Sequence, residues 1–275
     1  RKLKLNGECG YIGEGSLRLA SSKQRWQQIQ SLAKLAKNIG MDAQLMSTAE
    51  AAKLFPLIDT MDVEGALFLP GDGSAVATTI AGALIHDATQ MGVSFQSHAR
   101  VTAIDVANGH VKGLQTSKGA IKTETLVIAA GIWSPRVGRL AGVSIPLTPM
   151  QHQYVITEPL PELSNRVVPN LRDPDYLFYL RQREHSIVMG GYERQSKPAF
   201  LPHGTGGLDE IPPDFNGRLL EDDWDRFEEI TENSKRRTPV MDEAKITKLI
   251  NGPEAFTPDN EFCLGETEVL GLFVA

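Results

Sequence analysis

The order of segments predicts an α/β protein with an α+β insert, an antiparallel sheet forming a second domain. Three observations carry this. Two amphipathic helices lead the chain. The apolar run Leu126-Val127-Ile128-Ala129-Ala130-Gly131 reads as a central parallel strand buried on both faces. After Pro146 the pattern turns to alternation of polar and apolar residues, the mark of a sheet with one face on a core.

Taken in order, Gly15-Ser16-Leu17-Arg18-Leu19-Ala20 is a short strand. Ser21 or Ser22 caps a helix over 23–39, with Trp26, Ile29, Leu32, Leu35, Ala36 and Ile39 on one stripe and Gly40 as its stop. Ser47-Thr48-Ala49-Glu50 spells a capping box for a short helix ending at Pro56. Ala66 to Leu69 is a strand, followed by a tight turn through Gly71 and Gly73 and by Ser74 as N-cap of a helix reaching Met91. Short strands follow at Val93 to Phe95, Ala99 to Val106 and His110 to Thr116, the last two joined by the hairpin turn Asn108-Gly109. Gln151 to Thr157, Leu177 to Arg181 and Ser186 to Tyr192 form an antiparallel meander. The Gly/Pro-rich stretch 197–217 reads as an irregular surface or active-site loop. An acidic helix over 219–235 follows, and Lys235-Arg236-Arg237 at its end reads as a solvated turn complementing the helix dipole. Two strand-like runs flank Asn251-Gly252-Pro253. The expected division is 1–145, 146–243 as the inserted domain, and 244–275 returning to the first.

The 275 residues hold 28 Lys and Arg against 34 Asp and Glu, a net charge of −6. The basic groups are dispersed, which argues against nucleic acid or an anionic membrane as the main partner. No apolar run approaches the roughly 18 residues that span a bilayer, so no membrane span is expected. Cys9 and Cys263 lie far apart with no metal or redox spacing, which points to a reducing compartment. The chain opens on Arg1-Lys2-Leu3-Lys4 and closes on Leu272-Phe273-Val274-Ala275, and it reads as an internal piece of a longer protein.

Motifs for common chemistries do not occur. Gly10-Tyr11-Ile12-Gly13-Glu14-Gly15 has the wrong spacing for a dinucleotide loop, and Gly71-Asp72-Gly73-Ser74-Ala75-Val76 lacks the third glycine. The six histidines share no ligand spacing, so no metal is expected. Two features remain. Ala129-Ala130-Gly131-Ile132-Trp133-Ser134-Pro135 ends the apolar strand with small residues, either as a plain strand-to-helix turn or to let a ligand approach the backbone. His152 stands between Gln151 and Gln153, with Tyr176, Tyr179 and Tyr192 on or beside neighbouring strands. Spacing alone leaves His152 open between a hydrogen-bonded structural residue and a base beside a phenol.

Together these segments resemble the dimethylglycine dehydrogenase, sarcosine dehydrogenase and dimethylglycine oxidase family, flavoproteins of the D-amino-acid-oxidase-like fold. The resemblance runs through Gly15 to Ala20, Ala66 to Gly73, Ala130-Gly131-Ile132-Trp133-Ser134, Gln151-His152-Gln153-Tyr154, Tyr179-Leu180-Arg181, Gly191-Tyr192-Glu193 and Asn251-Gly252-Pro253. It implies part of an FAD-binding domain with an antiparallel-sheet substrate domain, in an FAD enzyme that oxidises an N-methylated amino acid of the dimethylglycine or sarcosine type. Hydride leaves the N-methyl carbon for the flavin. The iminium then hydrolyses to formaldehyde or passes its one-carbon unit to tetrahydrofolate. The resemblance gives Val101, Gly131 and Trp133 to the cofactor, His152 and Tyr179 to catalysis, and Tyr192 and Gly252 to the substrate. It also reverses the balance on His152, toward a proton acceptor for the substrate amine.

Relatives carry the glycine-rich strand–helix unit, and a histidine linked covalently to FAD, upstream of the point matching Arg1, and a flavin-covering loop past Ala275. The expectation is that this piece alone binds FAD poorly and is inactive. The resemblance places the protein inside the cell, in the cytoplasm of a bacterium or the mitochondrial matrix of a eukaryote. Two other functions stay open: a non-catalytic relative of the pyruvate dehydrogenase phosphatase regulatory-subunit type, and an amino-acid oxidase acting on a primary amine. The electron acceptor is not implied.

Overall fold

In the computed structural model, residues 10–200, 211, 212 and 215–275 are described. Most of the predicted 197–217 loop therefore lies outside the described residues, as does Cys9. Strand β1 (Tyr11–Ile12) precedes β2 (Ser16–Ala20), whose alternation leaves Leu17 and Leu19 buried. Helix α1 (Lys23–Asn38) starts where the Ser22 hydroxyl accepts the Arg25 N–H at 3.2 Å. Its buried stripe is Ile29, Ala33 and Ala36, whereas Leu32, Leu35 and Ile39 are exposed. The small alanines are the residues that pack with Ala20 and Leu67, so the contact face is rotated from the predicted one. Strand β3 (Gln44–Met46) leads into α2 (Thr48–Leu54), which has the full predicted capping box between Ser47 and Glu50.

Next come β4 (Gly65–Leu69), β5 (Ser74–Ala75) and α3 (Ala77–Gln90). Ser74 does not cap α3. Its hydroxyl is engaged with Glu14 and, at 3.1 Å, with Asn170, and the helix begins after Val76 without a side-chain cap. Val93 to Phe95 is exposed and forms no strand. The hairpin is formed by β6 (Val101–Ala107) and β7 (His110–Thr116), with Asn108 and Gly109 both at positive φ as such a two-residue turn requires. After β8 (Gly119–Lys122) comes β9 (Leu126–Ile128). It is shorter than predicted and is not central: among the described residues it pairs only with a parallel strand near the C-terminus, and Val127 is 55% exposed. One turn of 3₁₀ helix, Gly131–Trp133, joins it to α4 (Ser134–Arg139).

The long strand β10 (Thr148–Thr157) is followed by β11 (Asn170–Asp173), β12 (Phe178–Arg183) and β13 (Ser186–Gly191). Strand β11 has no apolar run and escaped the pattern reading. Then come α5 (Trp224–Arg237), α6 (Val240–Glu243), β14 (Ile246–Phe256), β15 (Gly265–Glu266) and β16 (Leu272–Val274). Asn251-Gly252-Pro253 does not separate two strands. Strand β14 runs straight through it, and it can hold Pro253 because it is an edge strand, where a missing N–H costs no ladder bond.

The chain forms two units. The first comprises 1–94, 153–195 and 221–251, and the second 95–152, 196–220 and 252–275. This grouping differs from linear boundaries at 145 and 243, because β2 pairs in parallel with β11 and draws the N-terminal segment into the same sheet. That sheet has eight strands in the order β14-β10-β13-β12-β11-β2-β4-β3. Its core contains Leu17, Leu171, Leu180 and Met189, packed with Phe227 and Ile230 of α5. The second unit holds the sheets β6-β7-β8 and β15-β16-β9, with Ile104, Val111, Ile128, Val143 and Leu272 in its core.

Lys235-Arg236-Arg237 is not a wholly solvated turn. Arg237 is 1% exposed. Its Nε donates to Asp173 Oδ2 at 3.0 Å, and its Nη2 lies 2.6 Å from Asp62 Oδ1. Ser21 and the Asp59 carbonyl accept two more of its hydrogens. The reason is charge pairing: Asp173 is fully buried and needs a fixed cation. Burial pushes the Asp62 carboxyl up, but hydrogen bonds from Tyr176 and Arg237 outweigh it and hold the group below its ordinary value. Burial and the Asp62 carboxylate together hold the Tyr176 phenol above its own.

A depressed carboxyl contributes stability that is present above its unfolded value of about 3.9 and is lost as pH falls through the lower folded value. Urea midpoints should therefore fall on acidification below about pH 4, and Asp62→Asn should flatten that dependence. An equally steep acid loss in the variant would remove Asp62 from the account.

Candidate active site

Alternation along the strands sends Leu17, Leu171, Leu180 and Met189 into the core, which turns Arg18, Arg172, Tyr179 and Gly190 to the other face of the sheet. Arg172 stands opposite both Arg18, across the parallel β2–β11 pair, and Tyr179, across β11–β12. With Arg181, Asp72 and Ser16 these residues line a cavity of about 270 Å³ in the first unit. The Tyr192 ring lies beneath Arg172, its centroid 6.0 Å from the guanidinium carbon. Burial, with Arg172 and Arg25 nearby, pulls the Arg18 guanidinium below its ordinary range, and Asp72 offsets this in part. Asp72 itself is held by the Ser16 hydroxyl at 2.7 Å and the Gly73 N–H at 3.0 Å.

Tyr179 owes its place to Gly190, its partner across β12–β13. A Cβ at Gly190 would collide with the Tyr179 phenol. Gly190→Ala should therefore displace that phenol and lower kcat/KM roughly 10²-fold, with secondary structure by circular dichroism unchanged. Full activity in this variant would mean that the phenol's position is not used.

His152 belongs to the second unit, where it is 7% exposed and its Nε2 lies 3.9 Å from Glu254 Oε1 on β14. Its flanking glutamines serve the backbone. The Gln153 amide brackets Asp223, the N-cap of α5, accepting from its N–H at 2.9 Å and donating to its carbonyl at 3.1 Å. Gln151 donates to the Pro198 carbonyl at 3.4 Å. The histidine has a carboxylate beside it that can stabilise an imidazolium.

The strand-end turn also lies in the second unit. Gly131 sits at φ +53°, and a Cβ there would enter open space. It borders a cavity of about 300 Å³ together with Ser134, Leu147, Phe256, Cys263 and Val274. A mostly apolar wall with a bare backbone turn at a strand's C-terminal end fits the flat ring system and close backbone approach of a flavin nucleotide. Trp133 does not line this cavity and packs instead with Ile132, Ile211 and Phe215. Val101 starts β6 opposite Thr116 and packs on the core of the unit. Gly252 lies within β14.

The structure thus gathers Tyr179 and Tyr192 about one cavity of the first unit, whereas His152, Gly131, Trp133, Val101 and Gly252 belong to the second. Sequence reasoning missed Arg18, Arg172, Arg181 and Glu254. The signal for the arginines was present, since each is next to a leucine in a strand, and alternation turns it away from the core. Among the described residues no group of three or more His, Cys, Asp or Glu could hold a metal, and no helix is long and apolar enough to cross a membrane.

The fold is that of the D-amino-acid-oxidase-like oxidoreductases. L-proline dehydrogenase from P. horikoshii matches 96% of this chain and 66% of its own at a TM-score of 0.81 and 24% identity. Residues 2–275 match the family described as FAD dependent oxidoreductase, and the chain belongs to that family. Mitochondrial sarcosine dehydrogenase of Mus musculus is 34% identical over 96% of this chain and 28% of its own length. The mitochondrial pyruvate dehydrogenase phosphatase regulatory subunit of the same species is 32% identical over 97% and 30%. Mitochondrial dimethylglycine dehydrogenase of Rattus norvegicus is 31% identical over 91% and 29%. The chain spans about three-tenths of the length of these relatives.

Proposed function

We propose that the whole protein oxidises an N-methylated amino acid of the sarcosine or dimethylglycine type with FAD as acceptor. The observation that carries this is the buried His152 imidazole beside the Glu254 carboxylate, in a chain 34% identical to a sarcosine dehydrogenase. FAD, when bound, would supply the hydride acceptor for the N-methyl carbon. The donor must be a neutral amine, because its lone pair forms the C=N bond as the C–H bond breaks. His152 takes the ammonium proton, and Glu254 stabilises the imidazolium that results. The Tyr179 phenol donates to the substrate carboxylate and fixes the amine's approach, with Tyr192 and Gly252 bordering the substrate. Gly131 presents bare backbone to the cofactor, with Val101 and Trp133 as further cofactor contacts. Tetrahydrofolate as one-carbon acceptor, and a mitochondrial or bacterial cytoplasmic location, belong to the same reading.

A second reading, a non-catalytic regulatory subunit, is supported by the 32% identity to such a protein. The test is dye reduction by the whole protein with sarcosine or dimethylglycine. Turnover supports the enzyme, and a protein that oxidises no N-methylated amino acid favours the regulatory reading.

A further inference from the structure

Arg18 and Arg172 stand directly opposite each other on adjacent strands, an arrangement that costs stability in a sheet. The Asp72 carboxylate offsets it only in part. Among the described residues no carboxylate forms an ion pair with Arg18, Arg172 or Arg181, and the Asp72 carboxylate in the same cavity is held by Ser16 and Gly73. Arg25, which also faces Arg18, is paired to Asp175 at 3.1 Å and adds no attraction for Arg172. The cavity wall therefore holds three guanidiniums against one carboxylate, in a chain whose net charge is −6.

Tyr179 lines this same cavity and was assigned above to the substrate carboxylate. One carboxylate neutralises one guanidinium and leaves a net positive wall. Two would balance it, and guanidiniums bind carboxylates through paired hydrogen bonds of matched geometry. The cavity, about 270 Å³, is close to the lower limit of small-molecule sites.

We propose that this cavity takes a dianion, and that the substrate is an N-substituted amino acid with a second carboxylate. This rests on the oxidation reading for the word substrate, whereas the dianion site stands on its own geometry. A phosphate group offers related chemistry, so the probes must separate the two.

The test is calorimetric titration of the whole protein with succinate, acetate and inorganic phosphate, none of which carries an amine to oxidise. Succinate should bind at least about tenfold more tightly than acetate and more tightly than phosphate. Arg172→Gln, and separately Arg181→Gln, should each weaken succinate about tenfold or more. In dye reduction, N-methylaspartate should exceed sarcosine in kcat/KM, and both variants should lower that ratio. Equal affinity for succinate and acetate, or variants that bind succinate undiminished, would overturn the proposal. Phosphate binding tightest would overturn it in favour of a phosphate site. Arginine-dependent succinate binding without oxidation of any N-methyl amine would support the dianion site and fail the oxidation reading. Sarcosine oxidation with N-methylaspartate inert would do the reverse.

Discussion

Replacing His152 with glutamine in the whole protein is expected to lower turnover of sarcosine or dimethylglycine by about 10²–10⁴-fold, the range lost with a general base. Glutamine can occupy much of the same space and offers hydrogen-bonding groups, but it accepts no proton from an ammonium group. The substitution should therefore lower kcat more than it raises KM, and flavin content should be unchanged. The structure strengthens the expectation over sequence alone, because Gln151 and Gln153 have backbone tasks of their own and Glu254 stands beside the imidazole. Undiminished turnover in His152→Gln would take the histidine out of the mechanism.

The largest stability effect is expected at Arg237. Arg237→Met keeps an unbranched apolar stem and removes the guanidinium, leaving Asp173 fully buried without its cation. Removing one partner of a buried pair costs about 3–5 kcal/mol, since the remaining charge cannot be rehydrated. The Ser21 hydroxyl, and the backbone N–H groups of Asp175 and Tyr176, would still point at Asp173 but supply no full charge. Urea unfolding of the whole protein, followed by circular dichroism, should show this loss in the transition of the first unit. A change below about 1 kcal/mol would mean that water reaches Asp173 and replaces the guanidinium.

Much of the first unit was legible because its strands alternate. The strands at Ser16–Ala20 and Phe178–Arg183 bury alternate residues, Leu17 and Leu19 in one and Phe178 and Leu180 in the other, and the Ser47 capping box forms as spelled. Local patterns failed where a distant partner decides the outcome. Strand β11 forms because β2 and β12 flank it, not because Asn170-Leu171-Arg172-Asp173 has any strand signal. Ser74 is drawn from helix capping to Glu14 and Asn170. Arg237 sits in a basic run that resembles any helix end, and only Asp173 and Asp62, far away in sequence, pull it inside.

The candidate site was legible in part for the same reason. His152, Tyr179 and Gly131 came forward through their motif surroundings, whereas pairing depends on register, which a single strand does not reveal. The opposition of Arg18, Arg172 and Tyr179 appears only once β2, β11 and β12 are aligned. Glu254 directly follows Asn251-Gly252-Pro253, which reads as a break between two strand-like runs, whereas β14 continues through that break to Phe256.

The most direct test of the oxidation reading is anaerobic addition of sarcosine or dimethylglycine to the purified whole protein while its flavin absorption is followed. Bleaching of the oxidised flavin band, with one equivalent of formaldehyde or of a folate-bound one-carbon unit per flavin reduced, is the predicted result. A flavin that binds but stays oxidised with both of these amines, with N-methylaspartate and with glycine would contradict it.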